Sequence, residues 1–154
     1  AYAARAAAIL RDAARADLGE ARLVEDATGR VHLAVHVRGA TPGRHGLHLH
    51  AVGACVAAGG FASAGGHYNP TAREHGHDNP LGFHAGDLPN VEVTPAGEGR
   101  LVVALGQFAL AALADADGTA LVLHQNEDDR RTNAGPAGPG NSGARVACGA
   151  LRFE

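Results

Sequence analysis

Between Val31 and Arg38 the chain alternates aliphatic and polar residues, V-H-L-A-V-H-V-R. A period of two places the aliphatic side chains on one face of a half-buried β-strand. The turn sequence Asp26-Ala27-Thr28-Gly29 precedes it, which makes Ala21–Glu25 the other arm of a hairpin. Upstream, pattern and propensity conflict. Residues 1–23 are dominated by alanine, leucine and arginine, strong helix formers, yet they feed directly into the hairpin, and strands are expected here. A second turn, Thr41-Pro42-Gly43-Arg44, leads into His45-Gly46-Leu47-His48-Leu49-His50. Short strands are expected at Val91–Val93, Arg100–Leu105 and Ala120–His124, with Gly149–Phe153 closing the sheet. Two stretches, Val52–Asn90 and Gln125–Ala144, show no sustained periodicity. With no internal repeat and no linker, residues 1–154 read as one all-β domain, a β-sandwich or Greek-key barrel with two long loops.

Composition refines this picture. Apolar residues make up 45%, but Phe, Tyr and Trp together only 4%, so small side chains fill much of the core and suit closely approaching sheets. The 22 glycines and 7 prolines fit abundant turns. A net charge of −3 carries no basic footprint for nucleic acid. No apolar run approaches the ~18 residues that a membrane-crossing helix needs. The start at Ala1, without an initiator Met or an apolar signal segment, fits a chain whose targeting segment or lipid anchor has been removed. A monomer and a homodimer are equally compatible with the sequence. Cys55 and Cys148 lie too far apart for a CxxC motif. They form either one disulfide, with an oxidising compartment implied, or two unrelated buried thiols.

The placement of the ten histidines carries the chemistry. His48 and His50 form an H-x-H pair on a strand, where period two points both imidazoles to the same side; they share one ion or alternate on a solvated face. His67, His75, His84 and Asp87 follow in the first long loop, at spacings of eight, nine and three. Three imidazoles and a carboxylate suffice for a tetrahedral zinc site, and a metal explains why so long a loop would be ordered. His124 ends the aliphatic strand Leu121-Val122-Leu123. Together with His48 and His50 it completes three imidazoles on rigid strands, a donor set suited to copper.

The motifs H-G-L-H-L-H-A-V-G-A-C (45–55), S-A-G-G-H-Y-N-P (63–70), H-A-G-D-L-P-N (84–90) and G-N-S-G-A-R-V-A-C-G (140–149) closely resemble the copper–zinc superoxide dismutase family, nearest to its bacterial forms. The resemblance covers roughly residues 42–153. It implies an eight-stranded Greek-key β-barrel of immunoglobulin-like sandwich type. It implies copper on His48, His50, His67 and His124, and zinc on His67, His75, His84 and Asp87, with His67 bridging. Cys55 and Cys148 match the family disulfide. Arg145 matches the arginine that attracts and positions the superoxide anion. Asp128 matches the carboxylate linking a copper-ligand histidine to a zinc-ligand histidine. The implied activity is dismutation of superoxide, with Arg145 and His67 as catalytic residues, in the periplasm or cell envelope. A copper-sequestering protein with little turnover is the alternative on the same scaffold.

Some positions depart from the family pattern or stand outside it. Pro139 occupies a channel-shaping position that is commonly small or hydroxyl-bearing, within an unusual G-P-A-G-P-G run (135–140). There is no lysine for anion steering; Arg130 and Arg131 are the candidates, beside the opposing Glu127, Asp128 and Asp129. His32 and His36 read as a solvated sheet face, His45 as structural, and His77 as a loop residue without a ligand role.

Overall fold

The computed structural model describes residues 4–154. Its strands are β1 (Arg5–Arg11), β2 (Asp17–Glu25), β3 (Val31–Val37), β4 (Gly43–His45), β5 (Leu47–His50), β6 (Val91–Val93), β7 (Gly99–Leu105), β8 (Ala120–His124), β9 (Arg145–Ala150) and β10 (Arg152–Phe153). The alanine-rich N-terminal segment is strand over the described residues; residues 1–3 of that expectation lie outside them. Along β1 the side chains of Ala6, Ala8 and Leu10 are buried at every second position, so packing overrides alanine's helical preference. The turn expected at Thr41–Arg44 is shorter than the sequence suggests, because Gly43 and Arg44 already pair with Val93 and Glu92 of β6.

Ten strands replace the eight expected because two runs are interrupted, β4–β5 at Gly46 and β9–β10 at Leu151. The antiparallel order is β4-β6-β7-β3-β2-β1-β9-β8-β5, with β10 beside β1. The path begins and ends on the same stretch of chain: β4 pairs with β6 and β5 pairs with β8, and only Gly46 separates them. The sheet therefore closes into a barrel. At Gly46 a side chain would have no room, since a Cβ there would lie 2.8 Å from Ser142 Cβ and 3.3 Å from His48 Cε1.

Inside the barrel Leu10, Leu23, Leu33, Leu47, Leu49, Leu121 and Leu123 are completely buried, each contributing roughly 1.5–3 kcal/mol by removal from water. The disulfide Cys55–Cys148, with Cα atoms 5.6 Å apart, ties the first long loop to β9 over a smaller cluster of Phe61, Ala64, Ala120 and Val122. β5 and β8 are buried on both faces. Their leucines face the barrel core, while alternation sends His48, His50 and His124 to the opposite face, where the two long loops cover them. Among the described residues no helix is long and apolar enough to cross a membrane.

Candidate metal centre

The first long loop reaches the histidines because its backbone is stitched to β5. Tyr68 N–H donates to Leu49 O, Leu49 N–H to Gly86 O, and Ala51 N–H to Gly66 O. These contacts set His67 opposite His50 and Asp87 opposite His48 as isolated bridges. Strand and loop side chains thus meet through ordinary backbone pairing.

Around the strand histidines, one donor atom each from His48, His50, His67 and His124 lies within 4.8 Å of all the others. Backbone carbonyls orient two of these rings. His50 Nδ1 lies 2.8 Å from Gly65 O and His124 Nδ1 lies 3.1 Å from Gly143 O. A carbonyl only accepts, so each Nδ1 carries the proton and each Nε2 presents a lone pair. The two Nε2 atoms face each other at 3.3 Å, an arrangement that favours a cation between them. His48 donates through Nε2 to Asp128 at 2.6 Å, and its buried Nδ1 has no partner in the protein.

Three imidazole nitrogens converge on one carboxylate oxygen in the loop. Asp87 Oδ1 lies 3.0 Å from His67 Nδ1, 3.1 Å from His75 Nδ1 and 3.3 Å from His84 Nδ1, and the Nδ1 atoms of His67 and His84 are 3.1 Å apart. Four donors at ~2.0–2.1 Å around a tetrahedral zinc ion are ~3.3 Å from one another, so the observed spacing fits that ion. His48 also comes near His67, His75 and Asp87. The direct distances favour His84, because His48 sits against the other cluster and His84 approaches both His67 and Asp87. His75 Nδ1 is within ion-pair distance of Asp87, but without hydrogen-bond alignment it has no partner. Asp87 is held from behind, its Oδ2 accepting from the N–H groups of Gly76 and His84.

Asp128 joins the clusters. Its Oδ2 accepts from His48 and its Oδ1 from His75 Nε2 at 2.8 Å. Two residues without a specific role in the sequence reading support it. Asn90 accepts from the Asp128 N–H through Oδ1 and donates to its carbonyl through Nδ2. Gly140, at φ +66°, lies so close that a Cβ would collide with the Asp128 carboxylate and with His75 Nε2. Asn90 is the third residue after Asp87 and ends the 84–90 motif, but only the fold shows what its amide holds.

Burial dominates the titration of the strand imidazoles. It lowers His48 despite Asp128, lowers His50 with the help of His67, and brings His67 and His124 down to about 3. All four are neutral at neutral pH, the form that binds metal. His75 is the exception: burial pushes it down, but Asp128 and Asp87 outweigh burial and raise it to about 9. Burial raises Asp87 and Asp128, yet their imidazole donors hold both well below the usual carboxylate range.

A cleft of about 290 Å³ opens above His50, His67, His84 and His124, walled by Pro139, Gly143 and Arg145 among others. Arg145 Nη1 donates to Phe61 O at 2.8 Å. Burial lowers its pKa, from a starting value so high that the guanidinium stays charged. Phe61 sits in the left-handed region at φ 62°, and no sequence signal singles out its carbonyl. Arg130 faces Asp78 at 3.5 Å, and neither Arg130 nor Arg131 lines the cleft. The other histidines are engaged elsewhere. His45 lies 2.7 Å from both His124 O and Thr41 O. His77 donates to Asp87 O and stacks on Phe83. His32 pairs with Asp26, and His36 with Glu20 and Glu98, on the outer sheet face.

A family model described as copper/zinc superoxide dismutase matches residues 18–151. The chain belongs to that family. Within it, the chain is 36% identical over 154 residues to the Cu-Zn superoxide dismutase of Caulobacter vibrioides, covering 96% of this chain and 85% of that protein. It is 43% identical over 111 residues to the superoxide dismutase-like protein YojM of Bacillus subtilis, covering 69% of this chain and only 54% of YojM. The crystal structure of a SOD-like protein from Bacillus subtilis superposes with a TM-score of 0.83 at 33% identity, covering 95% of this chain and 97% of that one. Family membership and donor set together identify copper and zinc as the cofactors.

Proposed function

We propose that this family member dismutates superoxide, 2 O₂•⁻ + 2 H⁺ → O₂ + H₂O₂. The observation that carries the reading is the placement of the Arg145 guanidinium in the wall of the cleft whose floor is the strand imidazoles. His48, His50, His67 and His124 would hold copper, and His67, His75, His84 and Asp87 zinc, with His67 common to both. Copper bound there would supply the one-electron redox chemistry that the reaction needs. Arg145 draws the small anion into the narrow cleft and orients it. The second half-reaction consumes protons, and His67 would hold one at Nε2, a role supported by its Nδ1 facing Asp87. The zinc side fixes the loop and the aim of His67. The disulfide supports an extracytoplasmic setting, the periplasm or cell envelope.

Copper sequestration with little turnover is favoured by one feature, the rigid Pro139 in the cleft wall. Copper and zinc per chain, followed by superoxide consumption of the metal-replete protein, separate the two. Stoichiometric copper without activity above a free-copper control selects sequestration. Arg145→Ala is expected to slow turnover roughly tenfold or more and to flatten its dependence on ionic strength, with copper content intact. Loss of copper in that variant would show that the guanidinium has a different role.

A further inference from the structure

A second concavity shares no wall residue with the metal cleft and is more than twice its size, about 640 Å³ against 290 Å³. Its apolar surface is formed by Ile9, Phe61 and the Cys55–Cys148 disulfide, with Val56 standing 56% exposed at its lip. Arg11, Arg15 and Arg152 also line it, all three exposed. None of them pairs with a carboxylate among the described residues, whereas Arg38, Arg44 and Arg130 all do. The one acidic residue of the groove, Asp12, directs Oδ1 at the N–H groups of Ala14 and Ala16. On a chain of net charge −3, this is a local concentration of positive charge around an apolar floor.

We propose that this groove docks an acidic polypeptide segment of a partner protein, with carboxylates flanking an apolar side chain. The apolar residue would lie on Phe61 and the disulfide beside Val56. The carboxylates would meet the guanidinium groups, whose planar donor forks suit bidentate pairing. A second copy of this chain complements the groove less well, because a two-fold contact would bring two patches of three arginines together. Strand addition is also unsuited, because Arg11 is already in register with Cys148 of β9. The groove is therefore read by side chains. Its occupant would touch Phe61, whose carbonyl holds Arg145, so docking has a physical route to the metal cleft. The docking itself does not depend on whether superoxide is turned over.

Selection of phage-displayed random dodecapeptides on the metal-loaded protein tests this. The expected winners carry two or more Asp or Glu residues around an aliphatic or aromatic one. Their binding should weaken with added salt and fall about tenfold or more in an Arg11→Glu/Arg152→Glu double variant, while Arg100→Glu on β7 leaves it unchanged. If charge reversal impairs folding, Arg11→Gln with Arg152→Gln removes the charge at similar size, and the same loss is expected. Winners without acidic bias, or binding that survives the double substitution, would overturn the proposal. So would a concentration-dependent dimer of the unmodified chain that Val56→Asp dissolves, since the groove would then be a self-interface.

Discussion

Replacing Asp128 by asparagine tests the logic of the metal centre by exchanging one carboxylate oxygen for an NH₂ group. The two carboxylate oxygens carry unequal loads. Oδ1 accepts from His75 Nε2 at 2.8 Å and from the Arg130 N–H at 2.7 Å, whereas Oδ2 accepts only from His48 Nε2 at 2.6 Å. The amide oxygen of Asp128→Asn will settle where two donors need it, and its NH₂ will face His48. His48 Nε2 must then accept, which moves the ring proton to Nδ1, the nitrogen that has no protein partner and that would hold copper under the proposed assignment. Reversing that tautomer on metal binding breaks the new bond and leaves the Nε2–H facing the amide NH₂, a buried donor without an acceptor, at about 1–3 kcal/mol, equivalent to roughly 5–150-fold in affinity. Copper affinity should fall by that factor while zinc affinity changes several-fold less, because the His75 contact is retained. Competition titrations against a chromophoric chelator, run for each metal, measure both. If zinc weakens as much as copper, or copper does not weaken, the tautomer argument is wrong.

Other expectations follow from the same geometry. Opening the Cys55–Cys148 bridge, which spans 93 residues of sequence, should cost about 4–5 kcal/mol in the chain-entropy model; thermal unfolding of a Cys55→Ser/Cys148→Ser variant would show it as a fall of roughly 2–4 °C per kcal/mol. Zinc binding near neutral pH should release about one proton, from His75, because that imidazole is held protonated up to about 9; calorimetry in buffers of different ionisation enthalpy counts it. In the metal-free protein His67 and His124 have folded values of about 3 against ~6.5 unfolded. Their contribution is full above ~6.5 and is lost as pH falls towards about 3, by ~1.4 kcal/mol per unit for each group. His75 acts in the opposite sense, contributing fully below ~6.5 and fading as pH rises to about 9. Denaturant midpoints of metal-free protein that do not decline between about pH 6 and 4 would contradict this balance.

Much of the architecture was legible because alternation is a local property. The period of two in β3, and in the His48–His50 pair, follows directly from side-chain identities. The alanine-rich start was harder, and its neighbours decided it: alanine alone favours helix, but pairing with β2 buries Ala6 and Ala8. The clustering of His67, His75, His84 and Asp87 could be anticipated from residue type and spacing. What stayed hidden is carried by backbone atoms, which have no residue identity to read. The carbonyls of Gly65 and Gly143 set the tautomers of His50 and His124, and the carbonyl of Phe61 holds Arg145. Asn90 was visible as a letter, but its double contact with Asp128 depends on two distant loops meeting. The strand count differed because Gly46 and Leu151 interrupt pairing without redirecting the chain.

Closure through Gly46 also bears on how the protein resists misassembly. An open sheet leaves one row of peptide groups at each side ready to recruit another chain, and here a single run of chain occupies both positions. The seam is uneven. β4 and β6 are only three residues long, while the opposite side of the run is β5 paired along its length with β8, where the histidines reside. Transient opening is therefore expected to start at β4 and β6. Exposed strand would then appear there first, with β5 and β8 still paired.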